Sequence, residues 1–191
     1  MICLKNSDAH YETEAVIDHM FYHKNTAPFI AVRLIQRFGV SNPSPRYIHD
    51  VANSFISGIY RIQDVDFGTG DYGDLSATVA AILLDREGRN SLLDVDFSHG
   101  GLREPLLKVV AAMRGLEYQH RNNIFTFPSL YQMETKIGQM AHHIPSVFSF
   151  FLPEYAPPGV IKRAGLVSPE AMLLYNTFGL VNGLTSLVDF G

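Results

Sequence analysis

Two consecutive segments with apolar residues at the three-and-four spacing of a helix constrain the fold more than any other feature of the chain. "NTAPFIAVRLIQRF" (25–38) begins with Asn25 or Thr26 as its N-cap, and "SPRYIHDVANSFISGIY" (44–60) begins with Ser44 as its N-cap. Their apolar stripes consist of Ala27, Ile30, Ala31, Leu34, Ile35 and Phe38 in the first segment and Ile48, Val51, Ala52, Phe55, Ile56 and Ile59 in the second. Each stripe predicts a helix that buries one face in a core.

Helical patterns continue through most of the chain, at about 11–22, 74–87, 102–116 and 169–188. The one clear strand signal is "NIFTF" (123–127), which is too short to build a sheet alone. Between about 117 and 167, prolines and aromatic residues indicate a long packed connection. We therefore expect a mainly α fold, an irregular multi-helix bundle with this proline- and aromatic-rich connection and at most a minor short strand pair. Because 191 residues with 47% hydrophobic content suit one core, we expect a single helical domain over 1–191.

A glycine-rich stretch, "DFGTGDYGDL" (66–75), places Gly68, Gly70 and Gly73 at the spacing of a dinucleotide-binding loop. Such a loop works because it joins a buried parallel strand to a helix whose N-terminus faces the phosphates. Here the preceding residues are the end of an amphipathic helix and a polar link without strand signals, and the aspartates of the loop would repel a pyrophosphate. We expect no nucleotide binding, and interpret the glycines as a tight turn in which Asp74 caps the next helix.

The same region contains Asp64, Asp66, Asp71 and Asp74, and clustered carboxylates are ligands that calcium prefers. The spacing departs from the helix–loop–helix calcium pattern, since Thr69 stands where that loop needs glycine. A solvated acidic turn is the favoured interpretation. A calcium-stabilised module is an alternative.

Charge and cysteine content exclude several classes of partner. Lys and Arg number 15 against 19 Asp and Glu, and no basic stripe is available to neutralise phosphates, so we expect no nucleic acid partner. The single cysteine cannot form an intramolecular disulfide, and no motif indicates a cofactor. The first residues lack the pattern of a signal peptide, and no stretch has the hydropathy of a membrane span.

Candidate catalytic and anion-binding residues are few. Arg33 and Arg37 lie one helical turn apart and could hold a carboxylate or sulfate, with Arg103 as a third cation; equally, these arginines could form structural ion pairs. His23 or His143 would then be the general base. This set defines an alternative function, a hydrolase acting on a sulfated or carboxylated polymer, and it requires the side chains to converge in one pocket.

Six segments stand in order along the chain: "HKNTAPFIAVRLIQRF" (23–38), "SNPSPRYIHDVA" (41–52), "GDLSATVAAILLDREGR" (73–89), "LREPLLKVVAAMRGL" (102–116), "PSVFSFFLPEYAPPG" (145–159) and "AGLVSPEAMLLYN" (164–176). Together they resemble the C-terminal part of the domain-of-unknown-function family numbered eighteen hundred. The fourth and fifth segments are the most distinctive. Arg33, Arg103 and Asp74 fall on positions of the pattern, whereas Asp64 and Asp66 do not.

The resemblance implies an architecture and a compartment but no chemistry. The family has no established activity, substrate or cofactor, and its members are typically more than twice this length and often carry export signals. The expected partner is therefore the N-terminal part of the family architecture, or another protein. Because no convergent set of acid, base and nucleophile emerges from the sequence, our leading hypothesis is a non-catalytic helical packing and interaction module of an exported or surface-associated protein.

Overall fold

A computed structural model describes residues 6–96, 98–118, 133–140, 142–147 and 149–176 of the chain. The chain forms two compact units, Met1–His99 and Gly100–Gly191, each with its own apolar cluster. The described residues are mainly helical with a single two-stranded sheet, which confirms the predicted fold class. The predicted single domain over 1–191 concerns the relation between the two units and stays a prediction.

The described part of the first unit contains five α-helices, one hairpin and a closing 3-10 helix. In chain order these are α1 (Asn6–Phe21), α2 (Thr26–Phe38), α3 (Pro45–Ser57), β1 (Tyr60–Ile62), β2 (Val65–Phe67), α4 (Leu75–Leu84), α5 (Arg86–Arg89) and the 3-10 helix Ser91–Val95. The pattern at 74–87 predicts one helix. The structure has two helices there, because Asp85 leaves the helical conformation and caps α5.

The core of this unit lies between α2, α3 and α4, and the two apolar stripes supply most of it. Ala31 and Ile35 of α2 pack with Val51 and Phe55 of α3 and with Ile82 of α4, all buried. The outer members of the predicted stripes, Phe38, Ile56 and Ile59, are exposed, so the prediction was wrong for them. Those residues lie at the C-terminal ends of the stripes, beyond the stretch that faces the neighbouring helices.

Local capping set the start of α3 as predicted. The Ser44 side chain accepts a hydrogen bond from the backbone N–H of Tyr47, and Pro45 occupies the first turn. At the start of α2, Asn25 is in the cap position but its side chain makes no capping hydrogen bond. The predicted strand at 123–127 lies outside the described residues.

The hairpin corrects one interpretation. Residues 60–67, which the sequence suggested were a polar link, form antiparallel strands in which Tyr60 pairs with Phe67 and Ile62 with Val65. The turn between them places Gln63 at a φ of 52°. A three-residue strand precedes the glycines, but it is an exposed antiparallel strand and not the buried parallel strand of a dinucleotide-binding fold.

The glycine loop that follows is a tight turn, as predicted. Asp74 caps α4, since its side chain accepts from the N–H of Ala77 at 2.9 Å. Gly58 ends α3 in the left-handed conformation, and its carbonyl accepts from the N–H of Gly70. A Cβ built on Gly73, whose φ is +87°, would lie 2.5 Å from the Phe21 ring, so this turn also holds the end of α1.

The second unit contains α6 (Pro105–Gly115), α7 (Met133–Ile137), α8 (Val160–Arg163) and the 3-10 helix Pro169–Asn176. Val109, Met133 and Ile137 form its buried apolar cluster, with Leu106 and Met113 packed against it. An isolated antiparallel bridge joins Ser146 to Ser149. Of the helix predicted over 169–188, the described part is the 3-10 helix. Within the described chain, every helix falls short of the length and hydropathy required to span a membrane.

Candidate functional site

A charged network around Arg46 is the most connected group of polar side chains that the structure describes. Its guanidinium donates to Asp85 from both terminal nitrogens, at 2.7 and 2.9 Å, and to Asp50 at 2.8 Å. A longer hydrogen bond of 3.2 Å reaches Glu87. One arginine of α3 thus contacts its own helix and the junction of α4 with α5. The two parallel hydrogen bonds to Asp85 give that contact a fixed geometry.

Capping at the start of two helices brings these side chains together. Asp85 ends α4 and accepts from the N–H of Glu87 at 2.7 Å, which holds its carboxylate at the start of α5. Glu87 in turn accepts from the N–H of Ser44 at 2.8 Å and, through its other oxygen, from the Ser44 hydroxyl. The N-cap of α3 and the start of α5 are therefore fastened to each other beside Arg46.

Tyr47 closes the network on its buried side. The side chain is fully buried, and its hydroxyl donates to the backbone oxygen of Ile82 at 2.6 Å. Ile82 lies in the last turn of α4, where carbonyl groups have no partner within the helix. Gly39 and Gly88 lie against the hydroxyl, since a Cβ built on either would come within 3.4 Å of it.

The charges of the network shift the protonation equilibria of its members. Hydrogen bonding to Asp85 raises the pKa of Arg46 further above its ordinary value. Burial alone would raise the pKa of Asp85, but the hydrogen bonds from Arg46 and from the N–H of Glu87 outweigh burial and lower it. Burial, followed by the negative charges of Asp85 and Glu87, raises the pKa of Tyr47, so its hydroxyl stays a donor at neutral pH.

The hydrogen bonds that the charged groups of the network already make to one another decide what chemistry it can perform. Both terminal nitrogens of Arg46 already donate to carboxylates of the protein, and the Asp85 and Glu87 side chains are 9% and 15% exposed. At its outer edge Asp50 is accompanied by the exposed His49, whose Nδ1 lies 3.4 Å from a carboxylate oxygen. The arrangement joins α3 to the α4–α5 junction and leaves its central guanidinium engaged with protein carboxylates.

Sequence reasoning missed this network, although its residues stand in two of the segments that carry the family resemblance, 41–52 and 73–89. The available signals were Ser-Pro before Arg46 and the Asp-x-Glu spacing of Asp85 and Glu87, both of which are helix-start patterns. Neither reveals that the two starts face each other.

The anion-binding candidates of the first unit lie on α2. Arg33 is half-buried and its guanidinium carbon lies 5.0 Å from the centre of the Phe29 ring, a cation–π distance. Arg37 is exposed in the last turn of the same helix, where a cation complements the helix dipole. His23, the candidate base of this unit, is exposed, and its Nδ1 accepts from the N–H of Asn25 at 3.2 Å.

The remaining candidates of the hydrolase hypothesis belong to the second unit. Arg103 is exposed just before α6, and His143 is exposed with its Nδ1 3.8 Å from Glu134. The predicted set is thus divided between the two units, and its convergence in one pocket stays a prediction.

Next to Arg103, the buried charged residue of "LREP" is Glu104. Its carboxylate accepts from the side-chain amide of Gln139 at 2.7 Å, and the carbonyl oxygen of that amide accepts from the N–H of Leu106 at 2.9 Å. Gln139 is fully buried, so it satisfies an N–H of the first turn of α6 in place of a capping side chain. The segment therefore joins the start of α6 to Gln139, two residues after the end of α7.

Three carboxylates of the calcium hypothesis have partners within the protein. Asp71 accepts from the Thr69 hydroxyl at 3.0 Å. Asp66 forms a cross-strand ion pair with Arg61, with hydrogen bonds of 2.5 and 2.6 Å that lower its pKa. The two oxygens of Asp74 accept from the N–H groups of Ala77 and Thr69, which lowers its pKa. Among the described residues, no three Asp, Glu, His or Cys side chains form a group that could hold a metal ion.

These features define a class of protein: a mainly helical one in which charged and polar side chains join helix ends to one another. The family model described as a protein of unknown function (DUF1800) matches residues 4–189, and the chain belongs to that family. No curated protein and no solved structure gives a significant match.

Proposed function

We propose that this chain is a non-catalytic helical packing and interaction module that presents α1 to another polypeptide. The observation that supports the proposal is the exposure of α1, where every side chain from Ala9 to Phe21 is exposed. Among them are Val16, Ile17 and Met20, with exposed fractions of 53%, 59% and 64%. An apolar helix face of this kind normally lies against another element, and exposed apolar patches mark interaction sites.

The exposure of α1 is not that of a detached segment, because its C-terminal end is fixed. The Phe21 ring lies 6.2 Å from Phe55 and 5.1 Å from Tyr72, both in edge-on contact. The Tyr72 hydroxyl donates to the carbonyl of Phe21 at 2.9 Å, and the Thr26 hydroxyl donates to that of Met20 at 2.6 Å. A helix anchored in this way presents its apolar face in a defined direction.

The Arg46 network gives independent support to a non-catalytic role. An active site needs charged groups that are available to a substrate, and catalytic sites hold such groups in clefts. Here the guanidinium is engaged with protein carboxylates, and two of those carboxylates are largely buried. The network therefore suits a role in holding helices together.

The family resemblance suggests what α1 contacts. Family members are typically longer, so the partner we propose is the N-terminal part of the family architecture or another protein. Export of full-length members is the compartment that the same resemblance implies. The observation on this chain that supports a polypeptide partner is again the exposed face of α1.

Dye binding tests the proposal on the purified chain. A dye that fluoresces on apolar surface should bind, and replacing Val16 and Met20 by Ser should reduce the signal. Replacing Leu92 and Val95 by Ser is the matched control, because those residues are also exposed but lie outside α1. Size-exclusion chromatography with light scattering should accompany the assay. A compact monomer that binds no dye would count against the proposal.

Activity screens on sulfated and carboxylated polymers address the hydrolase alternative. Turnover that is lost on replacing Arg33 or His23, and kept on replacing the exposed Lys162, would replace the proposed function with the enzymatic one.

A further inference from the structure

We draw no further inference here: the strongest candidate, the exposed apolar face of α1 around Val16, Ile17 and Met20, carries none beyond the proposed function because nothing in the structure shows what covers it.

Discussion

Tyr47→Phe is the substitution whose effect the structure defines most closely. It removes one hydroxyl group from a fully buried ring and keeps the rest of the side chain. The lost hydrogen bond, 2.6 Å long, is the one that satisfies the carbonyl of Ile82 at the end of α4. Since helix ends have no internal partner for such carbonyls, the variant leaves a buried acceptor without a donor.

The size of the effect follows from that unpaired carbonyl. Leaving a buried polar group unsatisfied costs roughly 1–3 kcal/mol, so we expect the free energy of unfolding to fall by about 2 kcal/mol. For a chain of this length that corresponds to a fall in Tm of roughly 4–8 °C. Gly39 and Gly88 lie close to the hydroxyl, since a Cβ built on either would come within 3.4 Å of it.

Urea denaturation followed by circular dichroism would measure the change. Tyr11→Phe is the control, because that ring is exposed and its replacement should change stability by less than about 0.5 kcal/mol. If Tyr47→Phe proves no more destabilising than Tyr11→Phe, the hydrogen bond to the Ile82 carbonyl does not contribute to stability as argued.

Alkaline pH provides a second test of the same hydroxyl. Burial and the charges of Asp85 and Glu87 raise the pKa of Tyr47 in the folded state, so its contribution to stability is complete below the unfolded pKa of about 10. That contribution is lost as the pH rises above this value towards the folded pKa. The gap in stability between wild type and Tyr47→Phe should therefore narrow above about pH 10. A constant gap would contradict the assignment.

Three further changes test other parts of the first unit. Arg46→Met should cost about 2 kcal/mol at pH 7 by leaving carboxylates without their cation. The pKa of Asp85 is lowered in the folded state, so its contribution to stability is present above the unfolded pKa of about 4 and is lost as the pH falls below that value. Urea titrations should therefore show that the difference in stability between wild type and Arg46→Met narrows in acid. Gly73→Ala should lower the free energy of unfolding by roughly 1–3 kcal/mol more than Gly100→Ala in the same assay. Both glycines have positive φ, but a Cβ on Gly73 would meet the Phe21 ring, whereas a Cβ on Gly100 has no atom within 4 Å. Millimolar calcium should leave the Tm unchanged by calorimetry, whereas a rise would support the calcium-stabilised alternative.

The features of the fold that could be predicted from sequence are those that depend on neighbouring residues. The Ser44 cap of α3 depends on four consecutive positions, Ser44 to Tyr47, and the buried stripes of α2 and α3 depend on a period of 3.6. Asp74 as the cap of α4 is of the same kind. Each of these signals lies within one or two helical turns, so a single sequence contains all of it.

The Arg46 network could not be predicted in the same way, because its partners are distant in the chain. Arg46 is separated from Asp85 by 39 residues and from Glu87 by 41. The sequence shows that each end is a helix start. That the two starts meet is decided by the packing of α3 against α4. The hairpin was missed for another reason: three residues a strand give too few positions for an alternation to be recognised.

Comparison of α1 with α3 shows how far an apolar stripe can be used as evidence. In α3 the stripe lies against α2 and α4, and Val51 and Phe55 are buried. In α1 a seam of similar spacing is exposed, although Phe21 at its end is packed in the same unit. The periodicity of a helix predicts that a face will be covered, but it contains no information on whether the cover comes from the same unit.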